Sequence, residues 1–246
     1  MPKEIIFHLG FPKTATTFLQ KYIFTQLSDW VVVDPFFNNT DLYKKFAKDF
    51  NYFNNEEFEN KKIVVSSEYL ADPFRNHNYN LLFLDFIKIN YNNPKTILFT
   101  RNKLDIINSL FLQSVKTGSA ISSRKFRKQR KILSLDETNF EVLPKEVDYL
   151  FSFEEFKENS LEVIDELSKI FNHLLVYQGD KNTNTSFGYL STSISLFLNP
   201  FFRSMNNPHG LIPLPYRHTH LFTYLRRFKW YRNIDKKKHY FKDEKT

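Results

Sequence analysis

The alternation of short apolar runs with longer segments of helical spacing is the feature that most constrains the fold of this 246-residue chain. Residues 4–9 have the sequence EIIFHL and precede Gly10, which is typical of a buried strand that ends in a turn. The same patterns predict further strands at 62–67, 95–100 and 147–152, and helices at 16–26, 79–91, 104–116 and 153–171. This order predicts an α/β fold, with a central parallel sheet flanked by helices on both faces. Ligands of such sheets bind beyond the carboxyl ends of the strands.

The sequence changes character near residue 208. Residues 1–207 hold the alternating runs and predict a single α/β domain, in which 119–141 has no clear period and is expected to be a long loop or irregular helix. Pro208, Pro213 and Pro215 then lie close together, and aromatic and basic residues mix to the end of the chain. We expect 208–246 to form a basic, aromatic C-terminal extension that packs on the domain or trails from it.

Composition excludes several classes of site. The chain has no cysteine, so a disulfide framework, a zinc ribbon, an iron–sulfur site and a cysteine nucleophile are ruled out. The apolar stretch after Lys3 is too short for the apolar region of a signal peptide, and no run approaches the roughly 20 apolar residues of a membrane span. These features predict a soluble, cytoplasmic protein.

The segment Gly10–Thr17 (GFPKTATT) lies between a predicted strand and a predicted helix, where a phosphate-binding loop must lie. A helix N-terminus presents unpaired amides and the positive end of the helix dipole. Threonine hydroxyls add hydrogen-bond donors, and Lys13 adds a positive charge. The loop lacks the Gly-Lys pair of the G-x-x-x-x-G-K-[ST] signature, in which the following hydroxyl binds magnesium.

Two further polar residues follow the predicted strand at 95–100. Arg101 ends this strand, and Ser109 lies eight residues further on, two turns into the next predicted helix. Arg101 is therefore expected at the carboxyl edge of the sheet, and Ser109 on a helix face that can turn toward the same anion.

These two segments resemble the signatures of the sulfotransferases that use 3′-phosphoadenosine 5′-phosphosulfate (PAPS), and the glycan-acting and bacterial members more than the cytosolic ones. The resemblance spans roughly residues 4–175 and implies the P-loop-like sulfotransferase architecture. It implies that Arg101 and Ser109 hold the 3′-phosphate, and that the loop holds the 5′-phosphosulfate through Pro12, Lys13, Thr14, Ala15, Thr16 and Thr17.

The chain also departs from the family pattern. Lys103 stands where a proline usually follows the Arg-[Asn/Asp] pair, here Arg101-Asn102, and Phe18 stands where cytosolic members place an adenine-stacking tryptophan. The Arg-Lys-Gly loop that clamps the 3′-phosphate in cytosolic members is absent. Lys181 or a residue of the basic run 124–131 could replace that clamp.

The resemblance implies in-line transfer of a sulfuryl group from PAPS to a hydroxyl, or less favourably an amine, of a saccharide, glycolipid or other small acceptor, with no metal. Lys13 would neutralise charge at the leaving phosphate, and Glu68, directly after the strand at 62–67, would accept the acceptor proton. Glu68 has the alternative interpretation of a helix cap or solvated loop acid. His8 is expected to be a satisfied core histidine.

Two other functions compete with sulfuryl transfer. A P-loop phosphotransferase would require the missing Gly-Lys pair. A non-catalytic binder of nucleic acid or membrane would use the net charge of +8. However, segment 124–131 carries six basic residues and segment 217–246 a net charge of +7, so the remaining chain has a net charge of −5. This distribution argues against a nucleic-acid partner. The basic segments have two possible roles. They could serve solubility, or they could attract the polyanionic donor, an acidic glycan or an anionic membrane surface toward the site.

Overall fold

Five parallel strands form the central sheet of the structure, a computed structural model that describes residues 1–71, 77–129, 137–177, 189–202, 221–222, 224–225 and 228–235. The strands are β1 (Glu4–Gly10), β2 (Trp30–Val33), β3 (Lys62–Ser67), β4 (Lys95–Thr100) and β5 (Tyr149–Ser152). Their order across the sheet is β2-β3-β1-β4-β5, and every neighbouring pair is parallel. The predicted α/β class is therefore confirmed.

The helices connect these strands. They are α1 (Thr16–Phe18), α2 (Thr40–Lys48), α3 (His77–Asn90), α4 (Lys103–Lys116), α5 (Ser123–Gln129), α6 (Glu137–Glu146), α7 (Phe153–Glu158), α8 (Ser160–Phe171), α9 (Tyr189–Leu198) and α10 (Lys229–Ile234). Helix α1 continues as a π-helical segment, Leu19–Ile23, and a 3₁₀ turn, Phe24–Gln26. Short 3₁₀ turns also occur at Tyr52–Asn54, Glu56–Phe58 and Asn199–Phe201.

The chain separates into two compact units. The first comprises Met1–Arg101 and Ser134–Lys181 and contains the whole sheet, and the second comprises Asn102–Leu133 and Asn182–Thr246. The predicted boundary between residues 207 and 208 lies outside the described residues, so the division into a domain and an extension stays a prediction.

Both faces of the sheet are covered in the first unit, because successive residues of a strand point to opposite sides. On one face, Phe7 of β1 contacts the rings of Phe46 in α2 and Phe83 in α3, with centroids 5.9 and 6.2 Å apart. On the other face, Ile6 belongs to a buried cluster that includes residues of α8 and of the helical segment after α1. Phenylalanines dominate the largest fully buried side chains of the described residues, so many of the abundant phenylalanines fill the core.

In the second unit, helix α9 is held by buried polar contacts. The side chain of Asn199 donates to the carbonyls of Val115 and Ser119, at 2.9 and 2.7 Å. At the other end of α9, the buried carboxylate of Asp235 accepts hydrogen bonds from the amide and the hydroxyl of Ser191. These contacts fix both ends of α9 within the unit.

The strands predicted at 4–9, 62–67, 95–100 and 147–152 are confirmed, with ends that move by at most two residues. Strand β2 and helix α2 have no counterpart in the prediction. The described parts of 119–141, which were predicted to form a long loop or irregular helix, contain helix α5 and the start of helix α6. In the described part of the chain, no helix has both the length and the apolar character needed to cross a membrane. The cytoplasmic location stays a prediction.

Candidate active site

The candidate residues of the first unit follow three adjacent strands at the carboxyl edge of the sheet. The loop with Lys13 follows β1, Glu68 follows β3, and Arg101 follows β4. Strand β1 lies between the other two, with Leu9 opposite Ser67 and Gly10 opposite Phe99. The chain leaves β1 toward one edge of the sheet and leaves β4 toward the other, so a topological switch point lies between them. Ligands of open α/β sheets bind at such points.

The loop after β1 has an unusual backbone conformation. Lys13 and Ala15 have φ angles of 71° and 67°, in the left-handed region that residues with a side chain seldom occupy. Each such residue costs roughly 1–2 kcal/mol. An alternation of left- and right-handed residues makes successive amides converge on one point, which creates a concave site for an anion. Strain of this kind concentrates at functional sites.

The amides of Ala15, Thr16 and Thr17 make no backbone–backbone hydrogen bond with any described residue. The carbonyl of Ala15 accepts hydrogen bonds from Phe18 and Leu19, which begins the helical segment. These three amides therefore stand at a helix start and can bind an anion.

Gly10 is required by the close approach of the loop to the end of β1. A Cβ atom at this position would collide with Oγ1 of Thr16 and would lie 3.2 Å from Oγ1 of Thr14. The Thr14 hydroxyl donates to the carbonyl of Phe11 at 2.6 Å, which fixes the turn. The Thr16 hydroxyl is buried and has no hydrogen-bond partner among the described residues. A buried hydroxyl beside converging amides fits a phosphate or sulfate oxygen.

Arg101 connects the second motif to the loop. Its Nη1 donates to the carbonyl oxygen of Lys13 at 2.9 Å, across 88 residues of sequence. Its guanidinium also lies 4.5 Å from the ring centroid of Phe153, the first residue of α7. The contact with the aromatic face restrains the guanidinium and leaves its positive charge unchanged. Arg101 is therefore held beside the loop as a cation.

Glu68 lies at the end of β3, and its side chain is partly buried. The backbone around it is held by Ser67, whose hydroxyl oxygen accepts hydrogen bonds from the Tyr69 amide at 3.1 Å and from the Tyr43 hydroxyl at 2.9 Å. Glu68 therefore leaves the sheet at the same edge as the loop, as the sequence predicts, and its role as the base stays a prediction.

Ser109 lies on α4, in the second unit. Helix α4 has no proline at its start. The side chain of Asn102 caps this helix by accepting hydrogen bonds from the amides of Leu104 and Asp105 at 2.9 and 3.4 Å. This cap satisfies helix-start amides next to Lys103. The role of Ser109 as a phosphate ligand stays a prediction.

A buried polar cluster beneath the loop was not predicted from the sequence. His8 Nδ1 and the Ser66 hydroxyl share a hydrogen bond of 2.7 Å, and Gln20 Nε2 donates to the carbonyl and hydroxyl oxygens of Ser66 at 2.9 and 3.2 Å. Burial lowers the pKa of His8 to about 3, so the ring is neutral at neutral pH. The prediction of a core histidine is confirmed, although His8 Nε2 has no hydrogen-bond partner among the described residues. The available signal was a polar residue late in each of two otherwise apolar runs, His8 in β1 and Ser66 in β3.

Other predicted contributors have different surroundings. Phe18 packs against Tyr22, Phe156 and Tyr177, with ring centroids 5.4 to 5.9 Å apart. Of the residues that could replace the missing clamp, Lys181 lies outside the described residues, and so do Arg130 and Lys131 at the end of the run 124–131. No group of three or more His, Asp or Glu side chains that could hold a metal ion occurs within the described ranges.

No protein-family model matches the chain, and no curated protein matches it. Among solved structures, it is similar to the mouse sulfotransferase SULT7A1 complexed with PAP, at 14% identity and a TM-score of 0.41. This match covers 80% of the present chain, which spans only 64% of the length of the mouse chain. It is also similar to the sulfotransferase domain from the curacin biosynthetic pathway, at 14% identity and a TM-score of 0.38, covering 93% of this chain and 99% of that one.

Proposed function

We propose that the protein is a sulfotransferase that moves a sulfuryl group from PAPS to an acceptor hydroxyl. The observation that carries this proposal is the hydrogen bond from Arg101 to the carbonyl of Lys13. It joins the two signatures that the sequence separates, at the switch point of a parallel sheet. Two anion-binding patterns at the same edge of the sheet fit PAPS, which carries a 3′-phosphate and a 5′-phosphosulfate.

The donor would lie across this edge of the sheet. The amides of Ala15, Thr16 and Thr17 and the buried Thr16 hydroxyl would bind the 5′-phosphosulfate, together with Pro12, Lys13 and Thr14. Arg101 would hold the 3′-phosphate through its guanidinium, and Ser109 would be its second ligand. The Phe153 ring would keep the Arg101 guanidinium oriented during turnover.

Two side chains of this protein would act in the transfer step. The acceptor oxygen forms a bond to sulfur as the bond between sulfur and the bridging phosphate oxygen breaks, and the acceptor proton passes to the Glu68 carboxylate. Lys13 would stabilise the negative charge that develops on the leaving phosphate. The proposed chemistry assigns no role to a metal ion.

The acceptor is proposed to be a saccharide, a glycolipid or another small hydroxylated molecule, and an amine is less favoured. The position of Glu68 after β3 supports this choice through the resemblance to glycan-acting members. The basic segments 124–131 and 217–246 would attract the anionic donor or an anionic acceptor or membrane surface. We propose no nucleic-acid partner, because the charge is confined to these segments.

A thermal-shift comparison tests the donor site against the alternative functions. The ligands are 3′,5′-adenosine bisphosphate, ADP with magnesium, and a single-stranded oligonucleotide. At about 100 times its dissociation constant, a ligand of the folded state adds about 2.7 kcal/mol to the free energy of unfolding. We expect the bisphosphate to give the largest shift. Stabilisation by ADP with magnesium alone would contradict a sulfotransferase and favour a phosphotransferase.

A further inference from the structure

The loop after β1 holds a backbone conformation that its own residues do not favour. Lys13 and Ala15 both have left-handed φ angles, which residues with a side chain seldom adopt. Such a conformation persists only where the surrounding structure restrains it. The hydrogen bond from Arg101 to the carbonyl of Lys13 is one restraint, and it acts on the middle of the loop. A second restraint acts at the start of the loop, on Phe11.

Phe11 is fixed through its backbone and through its side chain. Its amide donates to the carbonyl of Phe99 at 3.0 Å, which attaches it to β4. Its carbonyl accepts the hydrogen bond of the Thr14 hydroxyl at 2.6 Å, within the loop itself. Its ring is fully buried. The strained part of the loop therefore begins at Phe11, and the Thr14 hydrogen bond passes a shift of Phe11 to the residues that follow.

The ring of Phe11 packs against Phe140 in α6. The two ring centroids are 4.9 Å apart and the ring planes are inclined by 59°, an arrangement typical of a favourable aromatic pair. Within the described ranges, Phe140 is the only residue whose aromatic ring makes such a contact with Phe11. The side chain of Phe140 is itself partly buried. The position of the Phe11 ring thus depends on the position of α6.

Helix α6 is attached to α3 near both of its ends. The side chain of Asn80 donates to Oδ1 of Asn139 at 2.9 Å, and both residues are buried. At the other end of α6, Nζ of Lys88 donates to the carbonyl of Glu146 at 3.0 Å. The buried bond resists displacement, because breaking it would leave buried polar atoms without a partner. Helix α6 is therefore a fixed support for the ring of Phe140.

We propose that Phe140 is a positioning residue of the donor site. Through Phe11 it holds the loop in the conformation in which the amides of residues 15–17 converge on the 5′-phosphosulfate. Phe140 acts through the loop, and the proposal assigns it no contact with the donor. This inference rests on the proposed function, and it adds to the donor site a residue that lies outside both sequence motifs.

Three nucleotides separate the two ends of the donor site. Adenosine 5′-monophosphate carries only the phosphate assigned to the loop, adenosine 3′-monophosphate carries only the phosphate assigned to Arg101, and 3′,5′-adenosine bisphosphate carries both. Dissociation constants are measured by ligand-observed NMR on the full chain, for the wild type and for Phe140→Ala. Without the ring, binding must restore the left-handed conformation, so the constants of the 5′-monophosphate and the bisphosphate should rise about tenfold. The constant of the 3′-monophosphate should stay unchanged.

Phe86→Ala is the matched control. Phe86 is a partly buried phenylalanine of α3 whose ring pairs with Phe50, with centroids 5.9 Å apart. Urea unfolding measures the stability of each variant. We expect both alanine variants to lose stability, and only Phe140→Ala to lose affinity for the 5′-phosphate. Phe140→Tyr keeps the ring and should bind all three nucleotides as the wild type does. If Phe140→Ala does not fold, Phe140→Leu supplies the same measurement.

The two proposals fail in different measurements. The donor site fails if the wild type does not bind the bisphosphate. The role of Phe140 alone fails if the wild type binds the bisphosphate and Phe140→Ala binds it and the 5′-monophosphate equally well. Equal weakening of the two monophosphates in Phe140→Ala, or the same weakening in Phe86→Ala, would also overturn this role, because either result indicates a general loss of packing.

Discussion

Protonation of the buried His8 is expected to make the fold sensitive to mild acid. Burial lowers the pKa of His8 to about 3 in the folded protein, against 6.5 in the unfolded chain. The unfolded state therefore binds more protons between these values, and the free energy of unfolding falls as the pH decreases through this window. The stabilising contribution is fully present above pH 6.5 and is lost progressively toward pH 3.

The size of this effect follows from the two pKa values. One unit of pKa difference corresponds to about 1.4 kcal/mol, so between pH 7 and pH 5 the titration of His8 alone removes about 2 kcal/mol. Domains unfold with a free energy of about 5–15 kcal/mol, so this loss is readily measured. The ring is fully buried and packs edge-on against Phe24 and Phe99, with centroids 5.2 and 5.4 Å away, so water does not reach it in the folded structure.

The assay is urea unfolding at pH 7 and pH 5 of the wild type and of His8→Leu. The substitution lowers stability at both pH values because it removes a buried partner of Ser66. The difference between the two pH values isolates the titration, and we expect it to be about 2 kcal/mol smaller in the variant. His8→Gln, which keeps a polar partner for Ser66, provides a second measurement if His8→Leu does not fold.

A control variant removes a different histidine. His173 has a quarter of its side chain exposed and lies 3.3 Å from Asp29. His173→Gln should therefore retain most of the acid sensitivity of the wild type. If both His8 variants lose as much stability between pH 7 and pH 5 as the wild type, His8 is not the buried neutral group that the structure indicates, and the reasoning is refuted.

Three further predictions concern the candidate active site. Lys13→Met should lower the turnover rate about 10²–10³-fold, as loss of a charge-stabilising donor does. Lys21→Met, which changes an exposed lysine of the following segment, should leave the rate unchanged. Equal rates in the two variants would exclude Lys13 from the transfer step. Glu68→Gln should keep the thermal shift with 3′,5′-adenosine bisphosphate but lose turnover. Glu57→Gln, which changes an exposed glutamate, should retain both. Near-wild-type turnover in Glu68→Gln would exclude Glu68 as the base. Arg101→Lys keeps the charge but loses the planar guanidinium that binds the Lys13 carbonyl, so the dissociation constant of the bisphosphate should rise about tenfold or more in a direct titration, and an unchanged value would contradict its role.

The sequence predicts the sheet well because four of its strands are continuous apolar runs next to clear turn or helix signals. Strand β2 was missed although its four residues, Trp30–Val33, form a continuous apolar run, because a run this short shows no periodicity by which a strand can be recognised. Helix α6 was missed because Pro144 lies inside it, and a proline normally indicates that a helix has ended.

The candidate site is predictable only as far as chain order determines position. Lys13, Glu68 and Arg101 each follow a strand, so a parallel sheet brings them to one edge. The hydrogen bond from Arg101 to the Lys13 carbonyl, and the left-handed φ of Lys13, depend on how two loops meet, and no local pattern records this. The contact between Phe11 and Phe140 likewise joins two segments that are distant in the sequence.

The buried cluster of His8, Ser66 and Gln20 gives a physical reason why the loop and the candidate base keep a fixed relation. Gln20 lies in the helical segment that follows the loop, and it donates to both oxygens of Ser66, two residues before Glu68. His8, two residues before Gly10, adds a third strand-end contact to the same hydroxyl. Because these groups are buried, leaving any one of them unpaired costs about 1–3 kcal/mol, so the three segments cannot shift independently. The position of the loop after β1 relative to the candidate base Glu68 is thus set by the sheet and its buried polar bonds rather than by flexible loops.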